Sequence, residues 1–188
     1  ALPILVYHQP ILKADVELIL KEATKQDYSC VVVGQDAIGT FNYKDNIDRI
    51  FRRMLDIHGV DYNIPIEELL KTDILELTPF VSVQQEQQLM PRIPNCVSAR
   101  WHPEFMDVTS RLADKGRGLT AIAKHLGIAL SDYVAFGDGG NDISMFVAAG
   151  IGVAMGNAGD NVKQAANFVT KHIDEEGIMH AMKYLGIV

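Results

Sequence analysis

The last third of the chain alternates short apolar runs with helical segments, and few folds accept that pattern. Tyr133–Phe136, Ile151–Met155 and Phe168–Val169 are too short for anything but strands buried on both faces. Between and around them, Gly116–Leu126, Asp142–Ala149, Asp160–Ala166 and Gly177–Leu185 carry helical spacing, the first closed by Gly127. Helix alternating with buried strand predicts a parallel sheet covered by helices. A domain boundary is therefore expected near Leu112. The stretch beyond it has only about 76 residues and roughly three strands, thin for a doubly wound sheet. This part is expected to be one half of a larger core.

Before Leu112 the pattern is different. Ile4–Tyr7, Ser29–Val33, Gly39–Tyr43 and Ile74–Pro79 read as strands, and Asn95–Trp101 with Glu104–Thr109 as a strand pair across His102-Pro103. Lys13–Lys25, Asp45–His58 (stopped by Gly59) and the glutamine-rich Val83–Met90 read as helices. The expectation is an α+β module with helices on one face of a largely antiparallel sheet.

The net charge of −7, with no basic run, argues against nucleic acid as a partner. No apolar stretch exceeds strand length, so no membrane span is expected, and no charged-apolar-small leader opens the sequence. Cys30 and Cys96 each lie in or beside an apolar run, as buried free thiols do. These features favour a cytoplasmic protein. A monomer or weak dimer is expected.

The chemistry concentrates after the strand Tyr133–Phe136. Asp138 leaves that strand at its carboxyl edge, where open α/β sheets bind ligands. Gly137, Gly139 and Gly140 permit a tight loop, and Asn141 and Asp142 are expected to open the next helix, whose N–H groups favour an anion. A carboxylate there without a basic neighbour suits Mg2+, which takes one or two carboxylates, waters and substrate phosphate. Lys115 begins the preceding helix and so belongs to the same rim. Its ammonium can neutralise phosphate oxygens, with Asp142 as the counter-ion. Met155-Gly156-Asn157-Ala158 forms a third loop on that rim.

Other residues carry less. Gly150-Ile151-Gly152 with Gly156 has the wrong spacing for a dinucleotide loop. Trp101 is expected in the core, with Arg100 and His102 as solvent-facing neighbours. Arg49, Arg52 and Arg53 read as a solvated helix face, and the remaining histidines show no zinc-ligand spacing.

Gly137-Asp138-Gly139-Gly140-Asn141-Asp142-Ile143-Ser144-Met145, with Ala149 through Ala158 after it, resembles the fourth motif and its sequel in the haloacid dehalogenase-like superfamily. The closest branch is that of the Cof-type sugar phosphatases with a C2-type cap. Asp114-Lys115-Gly116 is similar to that branch's lysine motif, and Asp174-Glu175-Glu176-Gly177-Ile178 to its C-terminal ending. The resemblance implies an α/β fold: the C-terminal half of a Rossmann-like, parallel, three-layer core at 112–188, an α+β cap at 9–111, and a connecting strand at 1–8. It implies Mg2+ on Asp138, Asn141 at the phosphoryl group, and Lys115 steadied by Asp142. The implied reaction is hydrolysis of a phosphomonoester, a sugar phosphate above all, through an aspartyl-phosphate.

The family's nucleophile motif, Asp-x-Asp-Gly-Thr, is not in the sequence. Asp36-Ala37-Ile38-Gly39-Thr40 comes nearest but lacks the second Asp and lies in cap-like sequence. The second motif, a Ser or Thr after a strand, is unassignable. The expectation is a chain shortened at its N-terminus, inactive by itself as 188 residues. A non-catalytic phosphate- or metabolite-binding module and a phosphomutase-type phosphotransferase are the alternatives.

Overall fold

The computed structural model describes residues 5–58, 60–61 and 63–188. It divides into two compact units: Gln9–Leu112, and Ala113–Val188 with the segment ending at His8.

The first unit is built on a five-stranded antiparallel sheet in the order β2-β1-β3-β5-β4. The strands are β1 (Cys30–Gly34), β2 (Ile38–Phe41), β3 (Ile74–Pro79), β4 (Cys96–His102) and β5 (Phe105–Ser110). Two tight hairpins, β1–β2 and β4–β5, flank the central β3. Helix α1 (Lys13–Gln26) buries Val16, Ile19, Leu20 and Ala23 at i, i+3, i+4, i+7 spacing. Each fully buried Ile or Leu of this kind contributes about 1.5–3 kcal/mol.

The sheet is covered on both faces, where residue pattern predicts cover on one. Cys30, Val32, Met106 and Val108 pack with Ile19, Leu77 and Cys96 in one cluster. Their strand neighbours Val31 and Phe105 point the other way, into a second cluster with Ile47, Ile50, Phe51 and Phe80. The continuous apolar run of β1 is the reason, since a strand with one wet face would alternate. The second face is covered by α2 (Asp45–Ile47), which continues as wider turns over Asp48–Met54. Leu55 N donates to Ile50 O at 2.9 Å, a bond five residues back. This helix stops short of the His58 expected from periodicity, and its expected stop, Gly59, lies outside the described residues. A short helix α3 (Ile66–Leu69) after Pro65 has no counterpart in the expected elements. Helix α4 (Val83–Leu89) opens on a capping box between Ser82 and Gln85. Residues 5–8 form no strand, contrary to the expected connecting strand, and Ile4 lies outside the described residues.

A polar group lies on the sheet itself. Thr78 Oγ1 donates to Asp107 Oδ1 at 2.9 Å, and Trp101 Nε1 to Asp107 Oδ2 at 2.6 Å. Burial first, and the Asp107 charge second, push the Glu76 carboxyl up to about 7. An acid whose folded pKa is raised binds its proton more tightly when folded. Its contribution to stability is full below the ordinary glutamate value and declines as pH rises to about 7. Glu76→Gln should therefore match the parent in urea unfolding at pH 4.5. At pH 8 it should be the more stable, by at most about 3 kcal/mol, reduced by partial exposure. Parallel pH profiles for the two proteins would refute this.

The second unit holds a parallel sheet ordered β6-β7-β8, with β6 (Val134–Gly137), β7 (Ile151–Ala154) and β8 (Phe168–Val169). Helices α5 (Lys115–Leu126), α6 (Ile143–Ala148), α7 (Asp160–Ala165) and α8 (Gly177–Tyr184) alternate with the strands. Ala135, Phe146, Ala154, Ala158 and Val162 form its core. Gly152 is required by packing: a Cβ there would lie 2.5 Å from Phe146 Cβ. Packing, and not a dinucleotide, accounts for that glycine.

Candidate functional site

The carboxyl ends of β6 and β7 and the start of α5 bring the expected residues to one rim. Asp114 caps α5, its Oδ1 accepting from Arg117 N at 2.9 Å, so Lys115 is the first helical residue. Gly116 lets α5 lie directly on α6, where a Cβ would come within 2.4 Å of Ser144 O. Gly116 N also donates to Ser144 Oγ at 3.1 Å, a contact with no signal in the sequence. These contacts aim Lys115 at the loop after β6.

Lys115 Nζ donates to Asp142 Oδ1 and forms an ion pair with it. Asp142 is buried, whereas the Lys115 side chain is half-exposed and so presents its charge to solvent. The second oxygen, Asp142 Oδ2, accepts from Asp138 N and Gly139 N, each at 3.0 Å. Burial alone would raise the Asp142 pKa. The Lys115 ammonium and the two N–H groups outweigh it and hold the carboxyl below its ordinary range.

Asn141 and Asp142 lie, as expected, where the next helix opens: Gly140–Asp142 form one tight turn that runs straight into the six-residue α6. The Asp142 carboxylate takes the N–H groups of Asp138 and Gly139, which precede that turn. Lys115 supplies the side-chain positive charge beside it.

Asp138 is exposed at the end of β6, and its Oδ2 accepts from Asn157 Nδ2 at 2.9 Å. Asn141 is exposed in the same turn, its Oδ1 beside Gly139. Among the described residues no three His, Cys, Asp or Glu side chains cluster as a metal cage. The donor set still fits Mg2+, which binds through one or two carboxylates plus waters and phosphate. Asp138 is the available carboxylate; Asp142 is fully committed.

Elsewhere the structure places residues differently from expectation. Trp101 is 57% exposed, not core. Its strand β4 is the sheet's edge, and its ring meets Phe105 edge-on with centroids 4.7 Å apart. Arg100 is not a free surface cation: its Nε donates to Glu86 at 2.7 Å and its Nη2 to Val81 O at 3.0 Å. His102 stacks on Phe105 with centroids 4.9 Å apart. Arg49, Arg52 and Arg53 all pair with carboxylates, consistent with a solvated face. Cys30 and Cys96 are buried free thiols, and burial pushes the Cys96 thiol up to about 11. No helix among the described residues is long and apolar enough to cross a membrane.

Similarity to known proteins identifies the family. The family model described as haloacid dehalogenase-like hydrolase matches residues 4–182. The chain belongs to the haloacid dehalogenase-like hydrolases. YkrA of Bacillus subtilis, a candidate phosphatase, is 30% identical over 186 residues, covering 97% of this chain and 70% of YkrA. Among solved structures, the subclass IIB sugar phosphatase BT4131 superposes with a TM-score of 0.85 at 37% identity, over 97% of this chain and 70% of that one. The phosphatase BT1666 of Bacteroides thetaiotaomicron superposes with a TM-score of 0.83 at 30% identity, over 95% of this chain and 66% of that one. The fold is therefore a parallel Rossmann-like core portion with an α+β cap, within a family of phosphomonoester hydrolases.

Proposed function

We propose that this chain carries the magnesium- and phosphate-binding rim of a phosphomonoesterase acting on sugar phosphates. The observation that carries the reading is the joint anchoring of Lys115 and the Asp138 loop by Asp142. One buried carboxylate holds the cation and two backbone N–H groups of the turn that presents Asp138. In this reading Asp138 holds Mg2+, which when bound supplies charge neutralisation for phosphate oxygens. Lys115 and Asn141 orient the phosphoryl group, and Asp142 keeps Lys115 in place. The unit Gln9–Leu112 is the cap and selects the substrate. Likeness to BT4131, a sugar phosphatase, supports the substrate class.

The transfer requires a nucleophilic oxygen to attack phosphorus as the sugar alcohol leaves, and water then to release phosphate. The sequence contains no Asp-x-Asp-Gly-Thr to supply it. The outer edge of β6 has no strand partner among the described residues, and in this reading a strand bearing that aspartate pairs there. Accordingly the 188 residues alone should not turn over substrate. A form joined to an Asp-x-Asp-Gly-Thr segment should hydrolyse p-nitrophenyl phosphate. EDTA should remove that activity and Mg2+ restore it. Turnover insensitive to EDTA would overturn the magnesium assignment. The missing motif also permits a second reading, a non-catalytic metabolite-binding module. Calorimetry separates the two: tight binding of glucose 6-phosphate by these residues, with no turnover in the joined form, would favour the module.

A further inference from the structure

Asn157 belongs to the rim by sequence, yet nothing in the sequence gives it a task. In the structure it spans two elements. Its Nδ2 donates to Asp138 Oδ2 at 2.9 Å, and its Oδ1 accepts from Ile173 N at 3.3 Å. Carboxylates only accept and backbone N–H groups only donate, so these partners fix which way the amide faces. The loop that bears it is fastened on both sides. Met155 N donates to Gly137 O, Ala158 N to Met155 O, and Gly156 N to Lys171 O, each at 2.9 Å.

We infer that Asn157 is a positioning residue for Asp138, and through Ile173 couples it to the turn that precedes α8. This rests on the proposal that Asp138 is the metal ligand. An exposed aspartate turns freely about its two side-chain bonds, and a cation must immobilise it on binding. Asn157 holds one oxygen in advance. The other, Oδ1, has no hydrogen-bond donor among the described residues and remains available. The Asn157 bond also draws on a lone pair of the carboxylate without adding charge, so it orients Asp138 and leaves its negative charge for the ion.

The test uses the form joined to an Asp-x-Asp-Gly-Thr segment, and Mn2+ alone as the probe, with free Mn2+ counted by electron paramagnetic resonance. Asn157→Ala should weaken Mn2+ binding about 10- to 100-fold, the range for residues that orient a metal ligand from behind. The KM for p-nitrophenyl phosphate at saturating Mg2+ should hardly move. Asn157→Ser, whose hydroxyl also donates and accepts, should recover part of the loss and serves if the alanine variant does not fold. In an Asp138→Ala background, Asn157→Ala should add nothing. Undiminished Mn2+ binding by Asp138→Ala would sink the metal reading itself. Loss on Asp138→Ala with parental binding by Asn157→Ala, or an equal Asn157→Ala loss in both backgrounds, would overturn the positioning role alone.

Discussion

Asp138→Ala should reduce Mg2+-dependent hydrolysis of p-nitrophenyl phosphate about 10³-fold or more in the form joined to an Asp-x-Asp-Gly-Thr segment. A metal ion's stabilisation of transition-state charge is worth several kcal/mol, and about 4 kcal/mol is a factor of 10³ in rate. The fold should be indifferent to the change. Asp138 is exposed, and its side chain makes one hydrogen bond, to the equally exposed Asn157. Removal of such a group alters stability by about 0.5 kcal/mol or less. Full loss of turnover with an unchanged melting temperature is thus the expected pair of results. Activity within a few-fold of the parent would remove Asp138 from the metal site, and with it the centre of the proposed function.

Asp142→Ala should act in the opposite manner, costing stability as well as turnover. Asp142 is 4% exposed, and its loss strands two backbone N–H groups and the Lys115 ammonium together. Buried N–H groups left without acceptors cost about 1–3 kcal/mol each, so a loss of about 2–4 kcal/mol is expected, tempered by water reaching the exposed loop. Turnover should fall about 10²- to 10³-fold as Lys115, in its proposed role at the phosphate, loses its place. The pH dependence identifies the cause. Because the folded pKa is depressed, the ionised Asp142 stabilises the fold fully above the ordinary aspartate value. That contribution is lost as pH falls through the lowered folded value. Urea unfolding should show the whole gap between parent and variant at pH 7 and pH 5, and a smaller one at pH 3. A gap constant down to pH 3 would mean that charge plays no part in it.

Much of this molecule was legible in its sequence. Ile74–Pro79 and Phe168–Val169 have the boundaries expected from residue pattern, and α1 differs by one residue. The rim was legible too, because a helix that returns to a parallel sheet must begin at the same edge where the strands end. Lys115, Asp138, Asn141, Asp142 and Asn157 could therefore be assembled in one place without coordinates. Periodicity and punctuation are properties of neighbouring residues, and neighbouring residues are what a sequence displays.

What only the tertiary structure decided is which groups meet across distance. The helix starting at Asp45 had an apolar stripe, but nothing local says that it covers the face opposite α1. Trp101 had the composition of a core residue, yet its strand lies at the sheet's edge and leaves half the ring to solvent. Asp142 was expected to serve a helix terminus and a lysine. Its second oxygen also gathers the N–H groups of Asp138 and Gly139, in the loop that precedes the helical turn Gly140–Asp142. Asn157 acquired a partner only when β7 came to lie beside β6 in register. Each of these outcomes depends on sheet order and on backbone placement to within an ångström or so. Residues far apart along the chain fix those quantities jointly.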